Sequence, residues 1–390
     1  MGDLAREIRL GGAFGVLVLA LALVVGCAGA SRENPDGGPR PGNPPAGPRG
    51  GERAVGIEQM SVREMVGQMF VVALRGTQPD YYIEKMIRER NIGGVLLFGY
   101  NMQSETQTKA LTGALQELSM QTEPAIPLFI AVDQEGGEVS SAPWVSRQPS
   151  AARVGARGDP AKAREIAEQV SAELRRAGVN TDLAPVVDTG FGAAIGSRSF
   201  GEDPQLVAQM GAAAIEGFES AGVVAAAKHF PNHGPATSDS HTDLPVVDHD
   251  LRTLRSYDMP PFEAAVRAGV PMVMVGHLLY PAIDPNRPAS LSPEVIGTLR
   301  EELGFEGVVL TDDLAMAGAT GDGTVARAAV RAVGAGADLL IISSPPQEQA
   351  DAYDAVVEAV ESGEIPRERV ETSVERVLRV KGAYPLLATD

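Results

Sequence analysis

Eight short apolar runs recur along the chain with helical patterns between them, and this alternation limits the fold more than any other feature. The runs are MFVVAL (69–74), GGVLLF (93–98), PLFIAVD (127–133), TDLAPVVD (181–188), VVAAAKHF (223–230), PMVMVGH (271–277), GVVLTDD (307–313) and ADLLIIS (337–343). Near-continuous apolar stretches of this length fit strands buried on both faces, as in a parallel sheet covered by helices. The segments between them carry helix punctuation. In DPAKAREIAEQVSAELRRAG, Asp159 stands at the N-cap, Pro160 at the first helical position and Gly178 at the stop, with Ile166, Val170 and Leu174 four residues apart. EDPQLVAQMGAAAIEGFESAG repeats the device with Asp203, Pro204 and Gly222. Eight β-then-α units predict an α/β fold, a single (β/α)8 TIM-type barrel. A doubly wound open sheet is the competitor, but no glycine-rich dinucleotide fingerprint accompanies these runs. The segment after the eighth run reads as closing helices, so the barrel domain is expected over residues 57–390.

The N-terminal stretch has a different character. It reads MGDLAREIRLGGAFGVLVLALALVVGC, with Arg6 and Arg9 before an apolar run from Ala13 to Val25, then Gly26 and Cys27. This is the layout of an export signal over residues 1–26. Its VVGC end resembles the lipobox of bacterial lipoproteins. That resemblance implies cleavage before Cys27, lipid on its sulfur, and an extracytoplasmic body anchored to the bacterial cell membrane. An uncleaved anchor is the alternative, though the apolar run is short for a full span. Residues 27–56 are rich in proline, glycine and charge and bury almost nothing apolar, so a disordered tether is expected there. Cys27 is the only cysteine, which excludes an intrachain disulfide. The 51 acidic residues outnumber the 33 basic ones, a formal charge of −18 that repels nucleic acid and removes it as a partner.

In barrels of this type the chemistry sits at the C-terminal ends of the strands. Several runs end there in polar groups: the third in Asp133, the fourth in Asp188, the fifth in Lys228 and His229, the sixth in His277, and the seventh in Asp312 and Asp313. The fifth continues into KHFPNHGPATSDSHTDLP, which holds three of the five histidines, His229, His233 and His241. Metal-assisted hydrolysis is one reading of that cluster. Against it, the first strand ends in ALRG without an H-x-H pair, and the H-x3-H spacing falls in a proline- and glycine-bearing loop. No metal and no cofactor is therefore expected. Glycoside chemistry is the other reading. It needs a nucleophile, which Asp312 or Asp313 could supply, and a separate proton donor. Asp239 and His241 are two residues apart, so in an extended stretch both project to one side. The carboxylate can then orient the imidazole, which donates a proton to a leaving oxygen and later accepts one from water.

These motifs resemble glycoside hydrolase family 3, in particular its bacterial β-N-acetylglucosaminidases of cell-wall turnover. KHFPNHG followed by DSH is similar to that subgroup's signature, GFEGVVLTDDLAMAGA to its nucleophile strand, AVDQEGG to its substrate-binding loop and IGSRSFGEDP to its arginine loop. The resemblance covers about Ile57 to Leu387. It implies a retaining exo-β-N-acetylglucosaminidase that releases terminal N-acetylglucosamine from muropeptides or peptidoglycan fragments. It implies Asp312 as nucleophile, His241 as general acid/base, Asp239 as its orienting partner, and Asp133, Arg198, Lys228 and His229 as sugar-binding residues. Three positions depart from the pattern: Asn232 stands where glycine is usual, and Glu138 and Ser141 stand at two arginine positions. Trp144, the only tryptophan, is either a sugar platform or a loop anchor. A phosphorylase using the same covalent intermediate and a non-catalytic sugar-binding lipoprotein are the alternative functions.

Overall fold

The computed structural model describes residues 56–321 and 323–387. The expected signal segment, Cys27 and the tether up to residue 55 lie outside the described residues. Among the described residues, no helix is long and apolar enough to cross a membrane.

The eight runs form eight parallel strands: β1 Phe70–Ala73, β2 Gly94–Leu96, β3 Phe129–Val132, β4 Thr181–Asp182, β5 Val224–Phe230, β6 Met272–Val275, β7 Val308–Asp313 and β8 Leu339–Ile342. Each pairs with its sequence neighbours, and β8 returns to β1 through Phe70 opposite Leu340, closing the barrel. β4 is much shorter than its apolar run. Pro185 has no N–H to give to the ladder, so regular pairing stops after Asp182. The chain nevertheless stays against β5, where Val187 N donates to the Lys228 carbonyl at 2.8 Å.

Side chains alternate across every strand and divide the apolar residues into two layers. Val71, Leu96, Phe129, Ala131, Val224, Ala226, Met272, Met274, Val308, Leu310, Leu339 and Ile341 fill the barrel lumen. Their neighbours, among them Phe70, Val95, Ile130, Ala225, Val273, Val309 and Leu340, pack outward under the helices. Each such buried aliphatic or aromatic side chain contributes about 1.5–3 kcal/mol of transfer free energy. The punctuated helices span Pro160–Arg176 and Pro204–Ser220, and Asp159 and Asp203 cap them by accepting from Ala161 N and Gln205 N. The closing helices are Pro346–Glu361 and Arg367–Ala383. Val377 and Val380 of the last one pack into the lumen cluster and seal its N-terminal end.

Candidate active site

The lumen alternation continues past the strand ends and sets the site. Phe129 and Ala131 are followed by Asp133, Val224 and Ala226 by Lys228, and Val308 and Leu310 by Asp312. These groups line a cavity of about 320 Å³, together with Glu135, Arg198, His229, His233, Ser240, His241 and the apolar Phe98, Met274 and Met316. Of the residues singled out from the sequence, Asp133, Arg198, Lys228, His229, His241 and Asp312 meet in this one cavity. Asp239 joins through His241, whose Nδ1 lies 2.7 Å from its Oδ1. A larger groove of about 490 Å³ lies between helices Tyr81–Arg90 and Glu105–Met120, away from every strand-end carboxylate and histidine.

The floor of one side is a compact ion network. Lys228 Nζ donates to Asp133 Oδ1 at 2.5 Å and contacts Glu135 Oε1 at 2.7 Å. Arg198 grips Glu135 with two parallel bonds, Nε to Oε2 and Nη2 to Oε1, both 2.7 Å. Burial alone would raise the Glu135 carboxyl, but Lys228 and Arg198 outweigh it and hold the group at about 2. Burial likewise disfavours the Lys228 ammonium, yet Asp133 and Glu135 raise it above the ordinary lysine value. Arg198 is raised in the same way by Glu135. Glu135 is thus the hub of the network, and it was not among the residues singled out from AVDQEGG. Its signal was present only as an acid two residues after Asp133.

Asp312 and Asp313 have different surroundings. Asp313 turns outward from the lumen and is used up structurally. Its Oδ1 accepts from Ala315 N and Ser343 N at 3.0 Å each, and its Oδ2 accepts from the Ser343 hydroxyl. Asp312 Oδ1 accepts only from Asp313 N at 2.8 Å, and Oδ2 accepts no bond from the described residues. Burial would raise the Asp312 carboxyl, but the neighbouring His229 and His277, the Asp313 amide and Lys228 lower it to about 2. His277 does not reach the cavity. Its Nε2 donates to the Asp313 carbonyl at 2.9 Å, so its Nδ1 accepts from Ser290 Oγ at 2.6 Å. It is a satisfied buried histidine that steadies the end of β7, and burial depresses its basicity.

Asp188 also lies behind the cavity wall. It is fully buried and accepts from His229 N at 3.2 Å, His229 Nδ1 at 2.7 Å and His233 N at 2.6 Å. Burial would raise it, but the two histidines keep it below the ordinary aspartate value. Its carboxylate fixes the His229 tautomer and the start of the loop that carries the dyad. Asn232 pins that loop further. Its Oδ1 accepts from Thr189 N and Gly234 N at 2.9 Å, and its Nδ2 donates to Thr189 O at 3.1 Å and Asp258 Oδ1 at 2.7 Å. Gly234 presses so close to Thr189 that a Cβ would stand 1.9 Å from its carbonyl oxygen.

The dyad itself is held by the residue between its members. Ser240 is buried while His241 is two-thirds exposed. The Ser240 hydroxyl lies 3.0 Å from His233 Nε2, and its carbonyl accepts from Gly318 N at 3.0 Å. Asp239 Oδ1 accepts from both the amide and Nδ1 of His241, at 3.0 and 2.7 Å. Desolvation opposes the Asp239 charge, but these bonds lower its carboxyl below the ordinary value. With Nδ1–H directed at Asp239, Nε2 is the nitrogen left for proton transfer. Ser141 lines the cavity and Glu138 is exposed, so neither arginine position presents a cation to the mouth. Trp144 donates to Thr108 Oγ1 at 3.1 Å and anchors its loop. Among the described residues, no group of three or more His, Cys, Asp or Glu side chains is placed to hold a metal ion.

Comparison with known proteins identifies the family. Residues 61–380 match the glycosyl hydrolase family 3 N terminal domain, and the chain belongs to that family. Beta-hexosaminidase A of Pseudoalteromonas piscicida is 34% identical over 334 residues, which cover 78% of this chain and 55% of that protein. A beta-hexosaminidase of Methylobacillus flagellatus is 36% identical over 288 residues, 71% of this chain and 80% of that protein. The solved glycoside hydrolase family 3 beta-N-acetylglucosaminidase from Paenibacillus sp. str. FPU-7 superposes with a TM-score of 0.80 at 39% identity, covering 83% of this chain and 62% of that one. The chain therefore spans little more than half of the Pseudoalteromonas protein and under two thirds of the Paenibacillus one.

Proposed function

We propose that the protein is a retaining exo-β-N-acetylglucosaminidase acting on peptidoglycan fragments through a covalent glycosyl-Asp312 intermediate. The observation that carries this reading is the pairing, in one cavity, of an Asp312 carboxylate held ionised and a His241 imidazole tied at Nδ1 to Asp239. In the first step Asp312 attacks the anomeric carbon, the glycosidic C–O bond breaks, and His241 Nε2 gives its proton to the departing oxygen. In the second, His241 takes a proton from water, the water oxygen attacks the same carbon, and the Asp312 carboxylate leaves. Two inversions give net retention. Asp239 stabilises the imidazolium needed for the first step and keeps Nε2 directed outward. Asp133 and Arg198, braced by Glu135 and Lys228, stand where sugar hydroxyls are to be bound, with His229 beside them. The exposed position of His241 fits a loop that folds over bound substrate before chemistry.

Hydrolysis is favoured over phosphorolysis by charge. The cavity carries the carboxylates Asp133, Glu135 and Asp312, while its cations Lys228 and Arg198 are already bound to acids. An incoming phosphate would meet net negative charge. The test is turnover of an activated aryl N-acetyl-β-glucosaminide by wild type, Asp312→Ala and His241→Ala, with and without phosphate. The expected result is loss of turnover in Asp312→Ala, a large drop in His241→Ala, and free N-acetylglucosamine as product in either buffer. A sugar 1-phosphate product would establish the phosphorylase, and an inert wild type would leave the sugar-binding lipoprotein.

The protein is further proposed to lie outside the cytoplasm on a membrane, with lipid on Cys27, which the VVGC end of the N-terminal apolar run supports. Metabolic labelling with an alkyne fatty acid checks this: label on the wild type and none on Cys27→Ser is the expected outcome, with the variant moving to the soluble fraction.

A further inference from the structure

We propose that Tyr100, stacked on Phe98 at the rim of the mouth, is the platform of a second sugar subsite, which takes the ring on the leaving-group side of the scissile bond. The proposal rests on the glycosidase reading above and specifies what that cavity binds. Phe98 follows Leu96 in the lumen register of β2 and lines the cavity that holds Asp312 and His241. Tyr100 lies against it, with ring centroids 5.6 Å apart and planes only 18° from parallel. One face of Tyr100 is thereby turned to the cavity wall, yet the residue remains 60% exposed. The platform also abuts the stretch that follows Asp133, since a Cβ on Gly99 would sit 3.2 Å from the Ser141 carbonyl.

The loop does not need Tyr100 to hold its shape. Asn101 is buried, donates to the carbonyls of Leu74 at 3.2 Å and Gly76 at 2.5 Å, and accepts from Phe98 N at 2.8 Å. Gln107 adds bonds to the carbonyls of Thr77 and Asn101. Tyr100 contributes one long bond of its hydroxyl to Leu74 O, at 3.3 Å. A large ring kept in water on a loop fixed by other residues, and stacked on a residue that lines the catalytic cavity, suits an occupant with a flat apolar face and polar edges. A pyranose ring has that shape, with axial C–H bonds on its faces and hydroxyls around its rim. A ring there extends recognition beyond the terminal sugar, and the neutral or acidic substituents of that second sugar remain at the solvent edge.

The test compares kcat/KM for N-acetyl-β-glucosaminyl fluoride, whose leaving group is one atom, with that for two disaccharides. These are N,N′-diacetylchitobiose and N-acetylglucosaminyl-β-1,4-N-acetylmuramic acid, measured on wild type, Tyr100→Ala and Tyr100→Phe. Stacking of this kind corresponds to a change of about tenfold, so the disaccharide-to-fluoride ratio should fall about tenfold in Tyr100→Ala for at least one disaccharide. In Tyr100→Phe, which keeps the ring, it should stay within about twofold of wild type. A ratio unchanged in Tyr100→Ala for both disaccharides would overturn the subsite while leaving the glycosidase intact. A wild type inert to the fluoride as well would overturn the glycosidase reading and the subsite with it.

Discussion

Asp312 and Asp313 are adjacent and chemically identical, and strand alternation sends one to the lumen and the other to β8. Removing each should therefore produce a different failure. Asp312→Ala should lower turnover by at least about a thousandfold while the fold holds. Asp313→Asn should act first on stability, by about 1–3 kcal/mol, because the bonds from Ala315 and Ser343 to its carboxylate are weakened. Kinetics and thermal melting on the two variants separate these effects. Glu135→Gln should destabilise by about 3 kcal/mol, since it leaves Lys228 and Arg198 short of a buried partner charge. The same carboxylates set the sign of the acid dependence. Glu135 and Asp312 are both held at about 2, below the ordinary carboxylate value. Their stabilisation is complete above that ordinary value and is lost as pH falls from about 4 towards 2. Melting temperature in a pH series should drop over that window, and less steeply in Glu135→Gln. Which of the two aspartates faces the lumen was not legible in the sequence. Val308, Val309 and Leu310 are apolar on both faces, so period-two alternation has no polar face to reveal which aspartate looks inward.

At the level of elements, the helix starts were readable because Asp159-Pro160 and Asp203-Pro204 act locally, through a side chain and the backbone two residues on. The grip of Arg198 on Glu135 spans 63 residues and leaves no local trace, which is why Glu135 went unnoticed while Asp133 did not. The dyad loop combines both situations. Asp239 and His241 were apparent from spacing, but the anchoring of Ser240 between His233 and Gly318 depends on tertiary contact. Asn232 is the departure with the clearest consequence: its amide joins the Thr189 segment, Gly234 and Asp258 in place of a bare glycine turn. Asn232→Gly should cost about 2 kcal/mol and speed amide exchange across residues 234–243, with kcat lowered more than KM is raised. Hydrogen-exchange mass spectrometry beside steady-state kinetics checks this.

The whole barrel is polarised. Ionisable groups crowd its C-terminal mouth, while its N-terminal end is sealed by the last helix. There Lys381 is buried, donates to Gln68 Oε1 at 2.9 Å and Gly93 O at 2.8 Å, and lies 4.9 Å from the centre of the Phe129 ring. Burial pushes its ammonium well below the ordinary lysine value. The unfolded chain then binds more protons than the folded one, so this residue makes stability rise with pH up to the ordinary lysine range. Wild type should gain stability relative to Lys381→Met as pH rises towards the ordinary lysine range of about 10, as read by denaturation midpoints. Eight strands in order and the closed barrel were visible in the alternation of apolar runs and helices, since that pattern repeats along the chain and needs no long-range information. The meeting of Asp133, Lys228, His229 and Asp312 in one cavity followed from the strand-end rule once the barrel was accepted, whereas Asp188 and His277, which end strands in the same way, stop behind its wall, and Arg198 was suggested only by the family resemblance. The most direct measurement of the central claim is the mass of the protein quenched during turnover of N-acetyl-β-glucosaminyl fluoride. The account predicts an adduct of one N-acetylhexosaminyl unit on the peptide containing Asp312, accumulating further in His241→Ala and missing in Asp312→Ala. Steady turnover in Asp312→Ala, or an adduct on any other residue, would contradict it.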